Sequence, residues 1–252
     1  MDLKHQTVVV TGGSRGLGLG VVEALVERAA QVVVVARNPA DLAAVRRRLD
    51  VATVAADIVD PLAAARVLAE RRPAVLILNA GTTPGLGPLH QQTWESFAAP
   101  WETDVKAGFH WLQAALKTPL SPGSRVLVTS SGAAVAGSPL SGGYAGAKRM
   151  LWLMANYAHG VSLQQNLGIC VQTIALMQMV GGTGVGQPGA EAYSAKLGIS
   201  PEQFLGRFGT QLTPREYGEL VATLLSDQRY EVARAFALKG DTGITILEGA
   251  AA

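Results

Sequence analysis

The sequence is poor in the residues that staple, ligate and charge a protein. It has one cysteine, Cys170, in 252 residues. A single thiol excludes an internal disulfide and fits a reducing compartment. Cys170 stands in an apolar, strand-like run, which reads as core. Four histidines are present. His5, His90, His110 and His159 lack metal-ligand spacing, so no metal site is expected. Charged residues make up 16% of the chain, with a formal net charge of +2. That balance lacks the basic footprint of a nucleic-acid binder. The one like-charge cluster, Arg46-Arg47-Arg48, reads as the cationic end of a helix. No run approaches the roughly 20 apolar residues of a membrane span. The first residues carry no charged-then-apolar signal pattern. The expectation is a soluble, cytoplasmic protein with neither nucleic acid nor membrane as partner.

What is present is apolar and regular. Hydrophobic residues are 48% of the chain, enough for a large core at this length. Strand-like runs cover 7–11, 31–36, 52–56, 74–79, 125–130, 169–175 and 233–239. Several are unbroken Val/Ile/Leu/Ala, the pattern of strands buried on both faces. Helical patterns fill the gaps at 19–28, 40–49, 61–70, 93–116, 144–163 and 214–225. This alternation predicts an α/β fold, a doubly wound, mainly parallel sheet of seven strands with helices on both faces. No linker or repeat divides the chain, so 1–252 reads as one domain. Only 177–208, rich in Gly and Pro, falls outside the rhythm. An insertion there, after a late strand, is placed to act as a substrate lid.

The strongest local feature is Val8-Val9-Val10-Thr11-Gly12-Gly13-Ser14-Arg15-Gly16-Leu17-Gly18. A strand ends in a Gly-rich turn and a helix opens at once. Such a turn offers backbone N–H groups at the positive end of a helix dipole, a seat for phosphate. The spacing G-x-x-x-G-x-G differs from G-x-G-x-x-G, and no Lys-Ser/Thr follows to make a P-loop. A second constellation lies further on. Tyr144 and Lys148 are four apart on one helix face. Ser131 closes the fifth strand-like run, where it can meet them in the crevice at the strand ends.

Thr11-Gly12-x-x-x-Gly16-x-Gly18, Asn79-Ala80-Gly81, Ser131 and Tyr144-x-x-x-Lys148 occur in order, each on the expected element. Together they resemble the short-chain dehydrogenase/reductase family in its shorter form, from residue 5 to about residue 240. The resemblance implies a Rossmann fold and a ketone–alcohol oxidoreductase. It implies Tyr144 as general acid or base and Ser131 as the donor to the substrate oxygen. Lys148 would lower the tyrosine's proton affinity and hold the nicotinamide ribose. Cofactor contacts would come from Gly12, Ser14, Arg15, Gly16, Leu17 and Gly18, and from Asn79, Ala80 and Gly81. Asp57 would meet the adenine. At the end of the second strand, Val35-Ala36-Arg37-Asn38 has no acid for a ribose 2′-hydroxyl. Arg37 and Arg15 can instead fork around a 2′-phosphate, which points to NADP(H).

Two positions depart from the family pattern. Asp104 stands where an asparagine usually anchors a proton relay, which brings a negative charge toward Lys148. Leu176-Met177 replaces the usual Pro-Gly after the sixth strand. Backbone there normally meets the nicotinamide carboxamide, and Thr183 is the candidate for the family's usual threonine, displaced along the chain. Met177, Met179 and Tyr193 are candidates for the substrate pocket, with a core reading equally open. Trp94, Trp101, Trp111, Phe97 and Phe109 fall in one helical region. Helix packing explains them, and so does a homodimer or homotetramer interface, since this region pairs between subunits in the family. The departures keep a second reading open, a catalytically impaired NADP(H)-binding sensor or scaffold. A dehydratase or epimerase using the same tyrosine is a third.

Overall fold

Valines of the first strand feed two different cores. In the computed structural model, which describes residues 1–248, Val8 and Val10 of β1 (Thr7–Thr11) face one core and Val9 faces the other. The same alternation runs through β2 (Gln31–Ala36), β4 (Val75–Leu78) and β5 (Arg125–Ser131). β3 (Ala52–Ala55), β6 (Cys170–Leu176) and β7 (Ala235–Lys239) complete a parallel set, and β8 (Gly243–Glu248) returns antiparallel on β7. The sheet order is β3-β2-β1-β4-β5-β6-β7-β8. The sheet therefore has eight strands rather than the seven expected. β8 is an outer strand with three exposed residues in the middle. It lacks the unbroken apolar run by which the buried strands are legible.

Helices α1 (Gly16–Glu27), α2 (Pro39–Leu49) and α10 (Pro214–Ser226) cover the first core. α3 (Pro61–Arg71), α5 (Lys106–Lys117) and α7 (Gly142–Gln164) cover the second, and the single turn α6 (Ala133–Ala136) lies between β5 and α7. α1 and α10 touch backbone to backbone. A Cβ on Gly20 would fall on the Pro214 carbonyl, and one on Gly218 on the Gly20 carbonyl. No helix among the described residues is long and apolar enough to cross a membrane.

Three further expectations are corrected. The helix expected over 93–116 is broken into α4 (Trp94–Pro100), a π-helical turn at Trp101–Val105, and α5. Pro100 has no N–H to give the Ser96 carbonyl. The wider turn that follows carries Asp104 inward, to 2% exposure. The 177–208 segment holds two helices, α8 (Gly186–Leu197) and α9 (Pro201–Gly206). Cys170 is only partly buried, at the start of β6. Its sulfur accepts from the Arg234 guanidinium at 2.9 Å instead of lying in the core.

Candidate active site

β1 and β4 are neighbours, and the sheet grows outward from them in opposite directions. The crevice at their carboxyl ends is where such sheets bind ligands. A cleft of about 750 Å³ opens there. Its floor is organised by Thr11. The Thr11 hydroxyl donates to the Ile77 carbonyl at 3.3 Å and accepts the N–H groups of Asn79 (3.1 Å) and Ala80 (3.2 Å). Asn79 donates its side-chain amide back to the Thr11 and Gly12 carbonyls, both at 3.4 Å. The ends of β1 and β4 are thus tied together beneath the glycine turn.

The turn can seat a dinucleotide. Gly12 has φ +69°, and a Cβ there would sit 2.8 Å from Ala80 Cα. A Cβ on Gly18 would strike the Gly12 carbonyl and come within 2.5 Å of Asn79 Nδ2. A Cβ on Gly16 would meet nothing within 4 Å, since that backbone faces open space. α1 begins at Gly16 with no side-chain cap and no acid in its first turn. Its first N–H groups are left for an anion, as a pyrophosphate requires. Arg15 and Arg37 both line the cleft, exposed and without an ion pair among the described residues. Asp41, in the first turn of α2, lines it too. The sequence reading passed over this acid because it lies beyond the strand end. Asp57 is not among the lining residues; its carboxylate accepts the Val59 N–H, and Ile58 faces the cleft instead.

Ser131, Tyr144, Lys148 and Asp104 line the same cleft. β5 and α7 are joined where this matters, because the Ser130 hydroxyl donates to the Lys148 carbonyl at 2.8 Å. Ser131 Oγ accepts the Ala133 N–H at 3.2 Å, which leaves its proton to donate. Lys148 Nζ lies 5.5 Å from the centre of the Tyr144 ring and donates to the Thr129 carbonyl at 3.4 Å. It also meets Asp104 Oδ2 at 3.0 Å, in a pair with side chains 7% and 0% exposed. The other Asp104 oxygen accepts the Thr82 N–H at 2.8 Å. Gly81 makes room for this pair, since a Cβ there would sit 2.7 Å from Asp104 Oδ2. Burial by itself would pull Lys148 down. The Asp104 carboxylate, helped by Tyr144, outweighs that and holds the lysine above its ordinary value. Burial also pushes the Tyr217 phenol up to about 12. Tyr217 is 1% exposed and outside the cleft lining, so it does not compete with Tyr144.

Leu176, Met177, Met179, Thr183 and Tyr193 all line the cleft as well. Thr183 spends its hydroxyl locally, donating to the Val180 carbonyl at 2.7 Å and accepting the Gly186 N–H at 3.0 Å. Met177 has a second role, packing against the small cluster of Trp152, Ala175 and Ala235. Gln178 ties the base of the lid. It donates to the Thr210 carbonyl at 3.3 Å and accepts the Gly240 N–H at 2.6 Å. The Tyr193 hydroxyl shares a hydrogen bond of 2.7 Å with Ser138 Oγ and accepts the Leu140 N–H at 3.2 Å. Its ring stacks on Phe204 at 5.6 Å, and Phe208 meets Phe204 edge-on at 5.6 Å. Thr83 donates to the Gly184 carbonyl at 2.9 Å, joining the β4 side of the cleft to the lid. Sequence reasoning missed Phe204 and Phe208. The signal for Phe204 was present as Ser200-Pro201-Glu202-Gln203, a helix start with a capping box that puts this ring on α9; Phe208 follows two residues past the helix end.

The short chain dehydrogenase family model matches residues 6–190. A short chain dehydrogenase/reductase, AacuD, of Aspergillus aculeatus is 35% identical over 152 residues, 57% of this chain and 54% of that protein. L-xylulose reductase of Homo sapiens is 35% identical over 106 residues, 42% of this chain and 43% of that protein. The chain thus spans about half the length of these curated relatives. Among solved structures, an NAD+-bound xylitol dehydrogenase superposes with a TM-score of 0.80 at 21% identity, covering 95% of this chain and 100% of that one. A blue fluorescent protein from a metagenomic library, in complex with NADPH, gives 0.76 at 22%, covering 95% and 98%. At these identities the structural likeness speaks for the fold.

Proposed function

The chain belongs to the short chain dehydrogenase family, and from that premise we propose that it is an NADP(H)-dependent oxidoreductase that interconverts a ketone and a secondary alcohol. The observation that carries this reading is one cleft lined by both halves of the machinery. At one end lie the uncapped start of α1 and two free guanidiniums. At the other lie Ser131, Tyr144 and a buried lysine. Arg15 and Arg37 would grip the 2′-phosphate, and the first N–H groups of α1 the pyrophosphate. When bound, the nicotinamide supplies or accepts a hydride at the carbonyl carbon. Ser131 holds the substrate oxygen with its free proton. Tyr144 gives that oxygen a proton in reduction and takes it back in oxidation. Lys148 keeps positive charge beside the phenol. Asp104 fixes the lysine in place and offsets part of its field. Asn79 serves by holding the glycine turn, and Asp57, next to the cleft-lining Ile58, would meet the adenine.

The test is NADPH oxidation against a panel of carbonyl compounds, with Tyr144→Phe beside the native protein. The variant should lose about 10²–10⁴-fold in kcat while still binding NADPH. Normal turnover by the variant would overturn the mechanism. The Asp104–Lys148 pair favours a second reading, a cofactor-binding sensor or scaffold with little turnover. Tight NADPH binding with no oxidation across the panel would establish that one. Trp94 and Phe109, 73% and 49% exposed, support a homodimer or homotetramer built through α4 and α5, which sedimentation would measure.

A further inference from the structure

The cleft separates charge from its reactive end. Five charged side chains line it among the described residues. Arg15, Arg37 and Asp41 belong to the β1–α1 turn, the end of β2 and the start of α2, which is the cofactor end. The other two, Asp104 and Lys148, are spent on each other at 3.0 Å. On the wall between the β5–α7 segment and the lid there is no charged side chain.

Most polar side chains of that wall are bonded to one another or to backbone. Ser138 Oγ bonds to Ser141 Oγ at 2.6 Å and to the Tyr193 hydroxyl at 2.7 Å. Tyr193 accepts the Leu140 N–H as well. Gln178 uses both ends of its amide, and Thr183 uses its hydroxyl as donor and acceptor. The three hydroxyls of Ser138, Ser141 and Tyr193 share two bonds and keep one proton over, whereas Ser131 and Tyr144 each keep their own proton in full. Around them stand Leu86, Met179, Val185, Phe204 and Phe208, with the Tyr193 ring stacked on Phe204. Methionine and aromatic faces accept flat or irregular apolar bodies.

Resting on the oxidoreductase reading above, we propose that the substrate is an uncharged ketone with one reactive oxygen on an otherwise apolar, ring-sized body. Polyols, keto acids and phosphorylated sugars are discriminated against. A hydroxyl carried into this wall loses water and finds most partners already engaged. Each such group costs on the order of tenfold in affinity, and a carboxylate or phosphate more.

The experiment compares kcat/KM with NADPH for 2-tetralone, xylulose, 2-ketobutyrate and dihydroxyacetone phosphate. The expected result is a preference above tenfold, about 100-fold in size, for 2-tetralone over each of the others. Any polar compound used within tenfold of it overturns the substrate class and leaves the oxidoreductase reading standing. If no carbonyl compound is turned over, the oxidoreductase reading fails, and the pocket is judged by calorimetric titration of the NADPH-loaded protein. Saturable binding of 2-tetralone, absent for xylulose and 2-ketobutyrate, supports an apolar site. Equal or reversed binding overturns it.

Discussion

At the β1–α1 end the cleft is made of backbone; at the lid end it is made of side chains. Gly12 and Gly18 work by what they lack, set against Ala80, Asn79 and the Gly12 carbonyl, while Gly16 turns its backbone to open space. The lid end is assembled from residues 83–86, 131–144, 177–193 and 204–208, which meet only in the folded chain. A site made of backbone needs fixed spacing in one short segment. A site made of side chains needs only that the right surfaces meet, so its composition is free to vary.

Between the two ends stands the Asp104–Lys148 pair, whose loss should have the largest effect. Lys148 lies above its ordinary value in the folded protein. The pair therefore stabilises below the unfolded lysine's value, about 10.4. That contribution is lost as pH rises through the folded value. In Asp104→Asn, burial acts without its counterion and the lysine falls below the unfolded value. Stability should then drop by about 3 kcal/mol at neutral pH. It should rise with pH between about 8 and 10, where the native protein's lysine contribution is flat. Melting temperatures across that range read the sign directly. Identical pH dependence in both proteins would show that the pair carries no electrostatic role.

Next in size is the cofactor end. Arg15→Ala combined with Arg37→Ala should cut the preference for NADPH over NADH by about 100-fold, from charge-assisted bonds worth about 1.5 kcal/mol each. KM for the ketone should stay within a factor of two or so, because these side chains lie at the other end of the cleft. An unchanged cofactor preference would remove the 2′-phosphate assignment. The smallest effect belongs to the lid. Tyr193→Phe frees Ser138 and the Leu140 N–H at a cost of about 1 kcal/mol. KM for an apolar ketone should rise severalfold while the dissociation constant for NADPH holds. A change in NADPH affinity alone would erase the distinction between the two ends.

The same division explains what could be read from the chain. β1, β2 and β4 announce themselves because both faces are buried and no polar residue interrupts them. Tyr144 and Lys148 are legible because four residues along a helix fix their shared face. β8 is hidden because exposed strands tolerate any alternation. Asp104 was legible as a departure from a pattern, and its distance from Lys148 was not. That distance depends on Pro100, which breaks a backbone hydrogen bond and opens a π turn three residues before Asp104. Phe204 and Phe208 escaped because the lid was read by its glycines, although the Ser200 capping box marked a helix within it.

The three bonds that cross the cleft mouth, Thr83 to Gly184, Tyr193 to Ser138 and Leu140 to Tyr193, join neutral partners. Each costs about 1 kcal/mol to break, so all are open together in roughly one molecule in 160. Such an opening needs no separation of ions, and Debye screening leaves it untouched. The rate at which spent cofactor leaves should therefore respond to temperature and hardly at all to salt. Stopped-flow release of NADP+ at low and high ionic strength would measure it, and a steep salt dependence would place the barrier at the arginines instead.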